Sequence, residues 1–273
     1  MRLFRLLRFL FHVMRGIATV ALVFPFIGRA RQVVLTQDWT RFILAIFGVG
    51  VQVSGHVPPV PARRILFVAN HISWLDVALL MAQRPARFIA KSEIRAWPVL
   101  GWLSERAGTL FIERRRHGDA GRINRMVHAA LAQDECVAFF PEGTTSRGDL
   151  VQPFNTALLQ PAVESHAPLW PVGIRYPVPG GEPNPVVAFV GDTTFSRSLW
   201  TIMGEKKIEA ELIYAPPIDT EGKNRRELAR LAEEAIASAL SLTAPRKSPG
   251  TPAGPPDAPP TARRPTGSPS PAQ

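Results

Sequence analysis

Cysteine is almost absent from this 273-residue chain: Cys136 stands alone, inside the apolar run Cys136-Val137-Ala138-Phe139-Phe140. One thiol can build neither a disulfide framework nor a cysteine zinc centre, and a free cysteine in such a run is ordinarily a small buried strand residue. No Gly-x-Ser-x-Gly turn occurs, so the serine nucleophile carried on such an elbow is missing. There is no His-x-x-x-His pair or other close set of metal ligands, so no metal is expected and a metal-dependent hydrolase is disfavoured.

Acidic residues are also few, and the resulting net charge of +10 is unevenly spread. Residues 1–42 hold seven arginines against Asp38, and residues 244–273 hold four basic residues against Asp257. The long middle of the chain is close to neutral. A nucleic-acid enzyme would carry its basic surface on the folded domain, so no nucleic-acid partner is expected. Basic residues on an apolar leader point instead to an anionic membrane surface.

Three regions follow: a membrane-associated helical segment over 1–57, a folded domain over 58–243, and a Pro-rich tail over 244–273 that is expected to be disordered. Two apolar stretches lie in the first region, at 16–28 and 42–53. Each is shorter than the ~20 residues needed to span hydrocarbon as a helix. Extending the first one backwards would reach that length but would bury His12 and Arg15, with Pro25 interrupting its end. Arginines on both sides of it argue against a simple span, and no small-x-small site marks a cleaved signal. The reading adopted is a pair of amphipathic or re-entrant helices on the cytoplasmic side; a single transmembrane anchor is the alternative.

From Pro58 onward, short apolar runs alternate with helical patterns. Strands are expected at Ile65-Leu66-Phe67-Val68-Ala69, Phe88-Ile89-Ala90, Thr109-Leu110-Phe111-Ile112, 137–140, 169–174, 185–190 and 208–214. Helices are expected at 73–81, at 121–133 and over the closing stretch around Leu228, Ala235 and Leu240. Strands alternating with helices indicate an α/β fold with a largely parallel sheet surrounded by helices.

The chemistry-bearing segment is Asn70-His71-Ile72-Ser73-Trp74-Leu75-Asp76, directly after a strand and at the start of a helix. On a continuous helix, residues five apart face about 140° away from each other. At a strand-to-helix turn His71 is still in the loop, so Asp76 can reach one of its ring nitrogens. That fixes the tautomer and leaves the other nitrogen free to take a proton. Taken alone, the pair also fits a satisfied structural histidine. A general base needs a hydroxyl, and with no enzyme nucleophile in evidence the hydroxyl is read as the substrate's. Two further segments stand out: Gly108-Thr109-Leu110-Phe111-Ile112-Glu113-Arg114, whose guanidinium suits a phosphate or carboxylate, and Phe140-Pro141-Glu142-Gly143-Thr144-Thr145-Ser146, a donor-rich turn beside a carboxylate.

In this order and at these spacings, the segments resemble the glycerolipid acyltransferase family, best known through the 1-acylglycerol-3-phosphate acyltransferases. Its Asn-His-x4-Asp, Gly-x-x-Phe-Ile-x-Arg and Phe-Pro-Glu-Gly-Thr-x-Ser patterns fall on Asn70, His71 and Asp76; on Gly108, Phe111, Ile112 and Arg114; and on Phe140 to Thr144 with Ser146. A weaker block falls on Pro171 and Val172. The resemblance implies His71 as general base, Asp76 as its partner, and Asn70, Arg114, Glu142, Gly143, Thr144 and Ser146 as acceptor-binding residues. It implies a donor that is acyl-CoA or acyl carrier protein, no cofactor, a lysolipid acceptor with lysophosphatidate first, and a place on the cytoplasmic face of a membrane. Backbone N–H groups near Gly143, or at the helix start after Asn70, would hold the oxyanion.

One departure bears on the acceptor. Many phosphatidate-forming members continue Phe-Lys-x-Gly after the third pattern, whereas this chain has Phe154-Asn155-Thr156-Ala157. The segments from Phe88 to Ile94, Trp97 to Gly101, and Gly191-Asp192 with Leu199-Trp200 also resemble the lyso-ornithine-lipid acyltransferase branch. A lyso-ornithine-lipid O-acyltransferase is therefore the alternative within the family. A non-catalytic lipid-binding protein of the same fold is the alternative outside enzymes.

Overall fold

A computed structural model describes residues 1–112 and 119–242. Arg114 and the tail over 244–273 lie outside the described residues. The chain opens with a helical hairpin, α1 (Arg2–Leu22) and α2 (Arg29–Phe47), turned by a short 3-10 segment at Phe24–Phe26 around Pro25. The first apolar stretch is therefore part of a longer helix starting at Arg2. With the 3-10 turn it is long and apolar enough to cross a membrane by length and composition. The second stretch divides. Its first residues finish α2, and Gly48, at φ 71°, ends the helix in the left-handed conformation that glycine adopts without a Cβ penalty. The rest becomes a strand, β1 (Val49–Gly55). The sheet thus begins before Pro58, where the sequence placed the domain boundary.

The remaining elements are β2 (Leu66–Ala69), α3 (Leu75–Gln83), β3 (Arg87–Lys91), α4 (Leu100–Ala107), β4 (Leu110–Ile112), α5 (Asp119–Ala132), β5 (Val137–Phe139), α6 (Gln160–Ser165), β6 (Leu169–Arg175), α7 (Phe195–Ile202), β7 (Ile208–Tyr214) and α8 (Arg225–Ala239). Among the described residues the strands form one seven-stranded sheet in the order β1-β7-β6-β2-β5-β3-β4. Pairing is parallel except between β6 and β7, so β1 and β7 run against the rest. The sequence did not anticipate β1, α4, α6 or α7.

Central position explains the composition of β2. Leu66 and Val68 enter a core with Val127 of α5 and Ile236 of α8, while Phe67 and Ala69 enter one with Ile43 of α2 and Leu79 of α3. Both faces are covered, so all four residues are apolar and buried. The strand expected at 185–190 does not form. Asn184 accepts hydrogen bonds from the amides of Val186, through its side chain, and Val187, through its carbonyl, which makes a turn at Pro185. The chain then crosses the loop after β2, and the Phe189 amide donates to the Ile72 carbonyl at 2.9 Å.

The hairpin is fastened internally and to the domain. His12 Nε2 and the Trp39 carbonyl lie 2.9 Å apart, and Trp39 Nε1 donates to the His12 carbonyl at 3.0 Å. A Cβ at residue 16 would come within 2.6 Å of Trp39 Nε1, so Gly16 is what lets this contact close. Glu135, before β5, accepts from Arg29 of α2 at 2.7 Å and from Arg87 of β3 at 3.2 Å. Glu135→Ala would leave two half-buried guanidinium groups without their counter-charge. We expect a loss of about 2 kcal/mol in thermal or urea unfolding in detergent, the usual cost of breaking a buried pair reduced for partial exposure.

Candidate active site

The parallel strands β2 and β5 and the neighbouring β6 end on the same edge of the sheet, where α/β proteins place their ligands. As β2 ends, Asn70 is buried and its amide acts as an extra peptide group. Nδ2 donates to the Ile174 carbonyl at 2.9 Å and Oδ1 accepts from the Ile174 amide at 2.7 Å, which fixes the turn against β6. Three residues, Ile72, Ser73 and Trp74, follow Asn70 and His71 before α3 begins, and Asp76 falls in its first turn. The five-residue spacing is thereby folded back on itself, and His71 Nδ1 lies 2.8 Å from Asp76 Oδ2. A carboxylate only accepts, so Nδ1 carries the proton and Nε2 presents its lone pair.

Asp76 is fully buried. Its Oδ2 also accepts from the amides of Ile72 at 2.7 Å and Ser73 at 2.9 Å, and its Oδ1 accepts from the Tyr176 hydroxyl at 2.6 Å. His71 retains some exposure and stacks on Phe140, with ring centroids 4.0 Å apart and planes 9° apart. Phe140 in turn stacks on Phe88 at 6.0 Å. Phe88 lines a cavity of about 470 Å³ between the hairpin, α3 and α4, whose wall also includes Phe24, Leu35, Trp39, Val77 and Leu103.

The turn after β5 comes to the same place. The Ser146 amide donates to the His71 carbonyl at 2.8 Å and its Oγ donates to the same atom at 3.2 Å, so Ser146 pins the histidine backbone. Thr145 Oγ1 donates to the Phe189 carbonyl. Thr144 is exposed. The Gly143 amide closes the turn onto the Phe140 carbonyl at 3.1 Å. The backbone donors expected for an oxyanion are therefore engaged elsewhere: Gly143 in its turn, Ile72 and Ser73 on Asp76. The Thr144 amide and hydroxyl, on the same turn, have no hydrogen-bond partner among the described residues.

Glu142 contrasts with Asp76. Both carboxyl oxygens are buried without a hydrogen-bond partner among the described residues. Burial pushes this group up from its ordinary 4.5 to about 8. The amides of Gln152 and His71 pull the other way, without reaching hydrogen-bond geometry, and the Asp76 charge adds to the rise. Asn70, His71, Asp76, Glu142, Gly143, Thr144 and Ser146 are thus brought together, with Asn70 and Ser146 holding backbone. Arg114 lies outside the described residues. Sequence reasoning missed Tyr176, because no local spacing links it to a carboxylate 100 residues earlier.

A strand-to-helix His–Asp dyad at the open edge of a seven-stranded α/β sheet is the layout of an acyltransferase, and the chain belongs to that family. The family model described as Acyltransferase matches residues 50–175. The chain is 39% identical over 210 residues to the lyso-ornithine lipid O-acyltransferase of Pseudomonas aeruginosa, covering 77% of this chain and 80% of that one. It is 37% identical over 204 residues to the 1-acyl-sn-glycerol-3-phosphate acyltransferase of Neisseria meningitidis, covering 74% and 78%. The crystal structure of the 1-acyl-sn-glycerophosphate (LPA) acyltransferase PlsC from Thermotoga maritima shares the fold, with a TM-score of 0.59 at 21% identity over 89% of this chain and 100% of that one. This protein is an O-acyltransferase.

The raised Glu142 carboxyl makes a pH-dependent prediction. The folded state holds a proton there that the unfolded state releases above about 4.5, so stability falls as pH rises from about 4.5 towards about 8. Glu142→Gln does not titrate. The melting temperature of the variant relative to the parent should climb across that window and level off above it, as read by thermal unfolding at a series of pH values.

Proposed function

We propose that the protein transfers a fatty acyl group from a thioester, acyl-CoA or acyl carrier protein, to the free hydroxyl of a lysolipid. The single observation that carries this is the His71–Asp76 dyad beside hydroxyls that are already committed: Ser73 Oγ to the Leu75 amide, Thr145 to Phe189 and Ser146 to His71. A base with an open Nε2 and no seryl nucleophile aimed at it is built to deprotonate a hydroxyl that arrives from outside. His71 Nε2 takes the proton of the acceptor hydroxyl as its oxygen forms the new bond to the thioester carbonyl carbon. Asp76 stabilises the imidazolium. The carbon–sulfur bond then breaks, and the departing thiolate receives the proton from His71. A degenerate lipid binder would have no use for this dyad. The apolar cavity behind Phe88 and Phe140 is the natural place for an acyl chain.

For the acceptor, lyso-ornithine lipid is the first reading and lysophosphatidate the second. Asn155 decides the order: its Oδ1 accepts from the Ala157 amide and its own amide donates to the Pro141 carbonyl. The position is neutral and folded onto its own turn, so it offers no positive charge to a phosphomonoester. Lysophosphatidate stays second because Arg114 falls on the family's phosphate-type position.

The cytoplasmic membrane face is the proposed location. Leu3, Phe4, Leu7, Phe11 and Met14 of α1 are exposed, interleaved with Arg8 and Arg15. An apolar stripe among arginines suits insertion into an anionic interface. Replacing Phe4, Leu7 and Phe11 together by serine should shift the protein from vesicles to supernatant in flotation on anionic liposomes, with near-normal thermal unfolding.

The activity test offers both acceptors and both thioesters to purified protein in detergent. Product from lyso-ornithine lipid is expected, and product from lysophosphatidate alone would reverse the order. His71→Ala should lower turnover at least about a thousandfold while leaving vesicle binding intact. Near-normal transfer by that variant would remove His71 from the base role.

A further inference from the structure

The chain has two tyrosines, and both are buried. Their hydroxyls are used differently. Tyr214, at the end of β7, has a hydroxyl with no partner among the described residues. Tyr176, just past the end of β6, donates to Asp76 Oδ1 at 2.6 Å. That bond lies on the carboxylate oxygen opposite the one facing His71. Oδ2 is already held by two backbone amides and the imidazole, so Tyr176 supplies the donor for the atom that the loop itself cannot reach.

We propose that Tyr176 is a positioning residue of the acyl transfer, setting through Asp76 both the orientation of His71 and the pH at which its Nε2 becomes free. The inference rests on His71 being the base. A hydrogen bond to Oδ1 draws negative charge away from Oδ2, and the imidazolium is stabilised less than it would be by a carboxylate lacking that donor. The dyad therefore gives up its proton at a lower pH with Tyr176 than without it. Among the described residues Glu142, from the turn after β5, also lies within electrostatic reach of this carboxylate, and its burial keeps it protonated at neutral pH. Of the α2 residues packed against α3, Ile43 and Phe47 are apolar, while Arg41 and Gln37 donate to the Ala82 carbonyl near the C-terminal end of α3. Asn70 completes the device: by clamping Ile174 it fixes the strand end that carries Tyr176 to the loop that carries His71.

The test is Tyr176→Phe in the full-length protein, with rates measured across pH against the acceptor that the parent enzyme uses. A hydrogen bond to a charged group is worth ~1.5–3 kcal/mol, so kcat should fall about ten- to a hundredfold with KM little changed. The acid limb of the rate profile should move up by about one pH unit. Tyr214→Phe, which removes a hydroxyl bonded to nothing described, should leave both untouched. Incorporating 3,5-difluorotyrosine in the Tyr214→Phe background marks Tyr176 alone. Its more acidic hydroxyl is the stronger donor, so the acid limb should move down. A tyrosine with only a packing role would change the melting temperature and move neither limb, and that result would overturn the proposal. If His71→Ala keeps its activity, the base reading fails first and takes this inference with it. An inactive His71→Ala beside unmoved limbs in both tyrosine variants would defeat the Tyr176 assignment alone.

Discussion

A carboxylate with no access to water governs this structure. Asp76 cannot be buried as an anion unless its oxygens are met by donors, because desolvating a lone charge costs far more than a domain's margin of stability. Four donors meet it, and they come from different levels of the fold. The two amides exist because the chain turns from strand to helix within five residues. The imidazole is there because the turn starts on it. The phenol is there because β6 lies beside β2 in the sheet. The buried apolar ladder of β2 and β6 is thus a condition for the charge, and the charge in turn selects one geometry for His71.

Glu142 shows what happens when the same chemistry is denied its donors. It sits within electrostatic reach of Asp76, and its buried oxygens have no hydrogen-bond partner among the described residues. Of two neighbouring carboxyl groups, one has its oxygens met by hydrogen bonds and the other is kept protonated near neutral pH by burial. The difference in environment limits the negative charge beside the dyad. A neutral carboxyl can also donate a hydrogen bond where a carboxylate could only repel.

What the sequence reveals follows the range of the interactions involved. The His–Asp dyad was legible because both residues lie on one turn, and β2 was legible because a strand covered on both faces must be apolar throughout. β1 was hidden because its residues read as the tail of an apolar helix; Gly48 was the sign of a break, but a glycine within an apolar run does not announce a strand. The extended 185–190 segment looked like a strand by composition and became a turn because Asn184 captured its amides. Asn70 and Ser146, which resemblance assigns to the acceptor, hold backbone atoms, and nothing in their spacing distinguishes the two uses. Tyr176 was invisible for a different reason. Its partner is fixed by strand order, and strand order is not written in any local pattern.

Separating the clamp from the chemistry has a consequence for the hairpin. Glu135 joins α2 to the domain before β5 begins, whereas Glu142 and Phe140 lie beyond that strand's other end. The cavity between hairpin and domain is therefore anchored on one side and lined near the site by Phe88, which stacks on Phe140 outside the cavity wall. Rings in van der Waals contact can change their packing at small cost, while an ion pair shared by two arginines cannot be broken without exposing a buried charge. Any opening that admits a chain should be borne by the aromatic side, next to His71, with α2 held in register by its far end. Membrane attachment through α1 and substrate entry beside His71 would then share one hairpin without requiring it to detach.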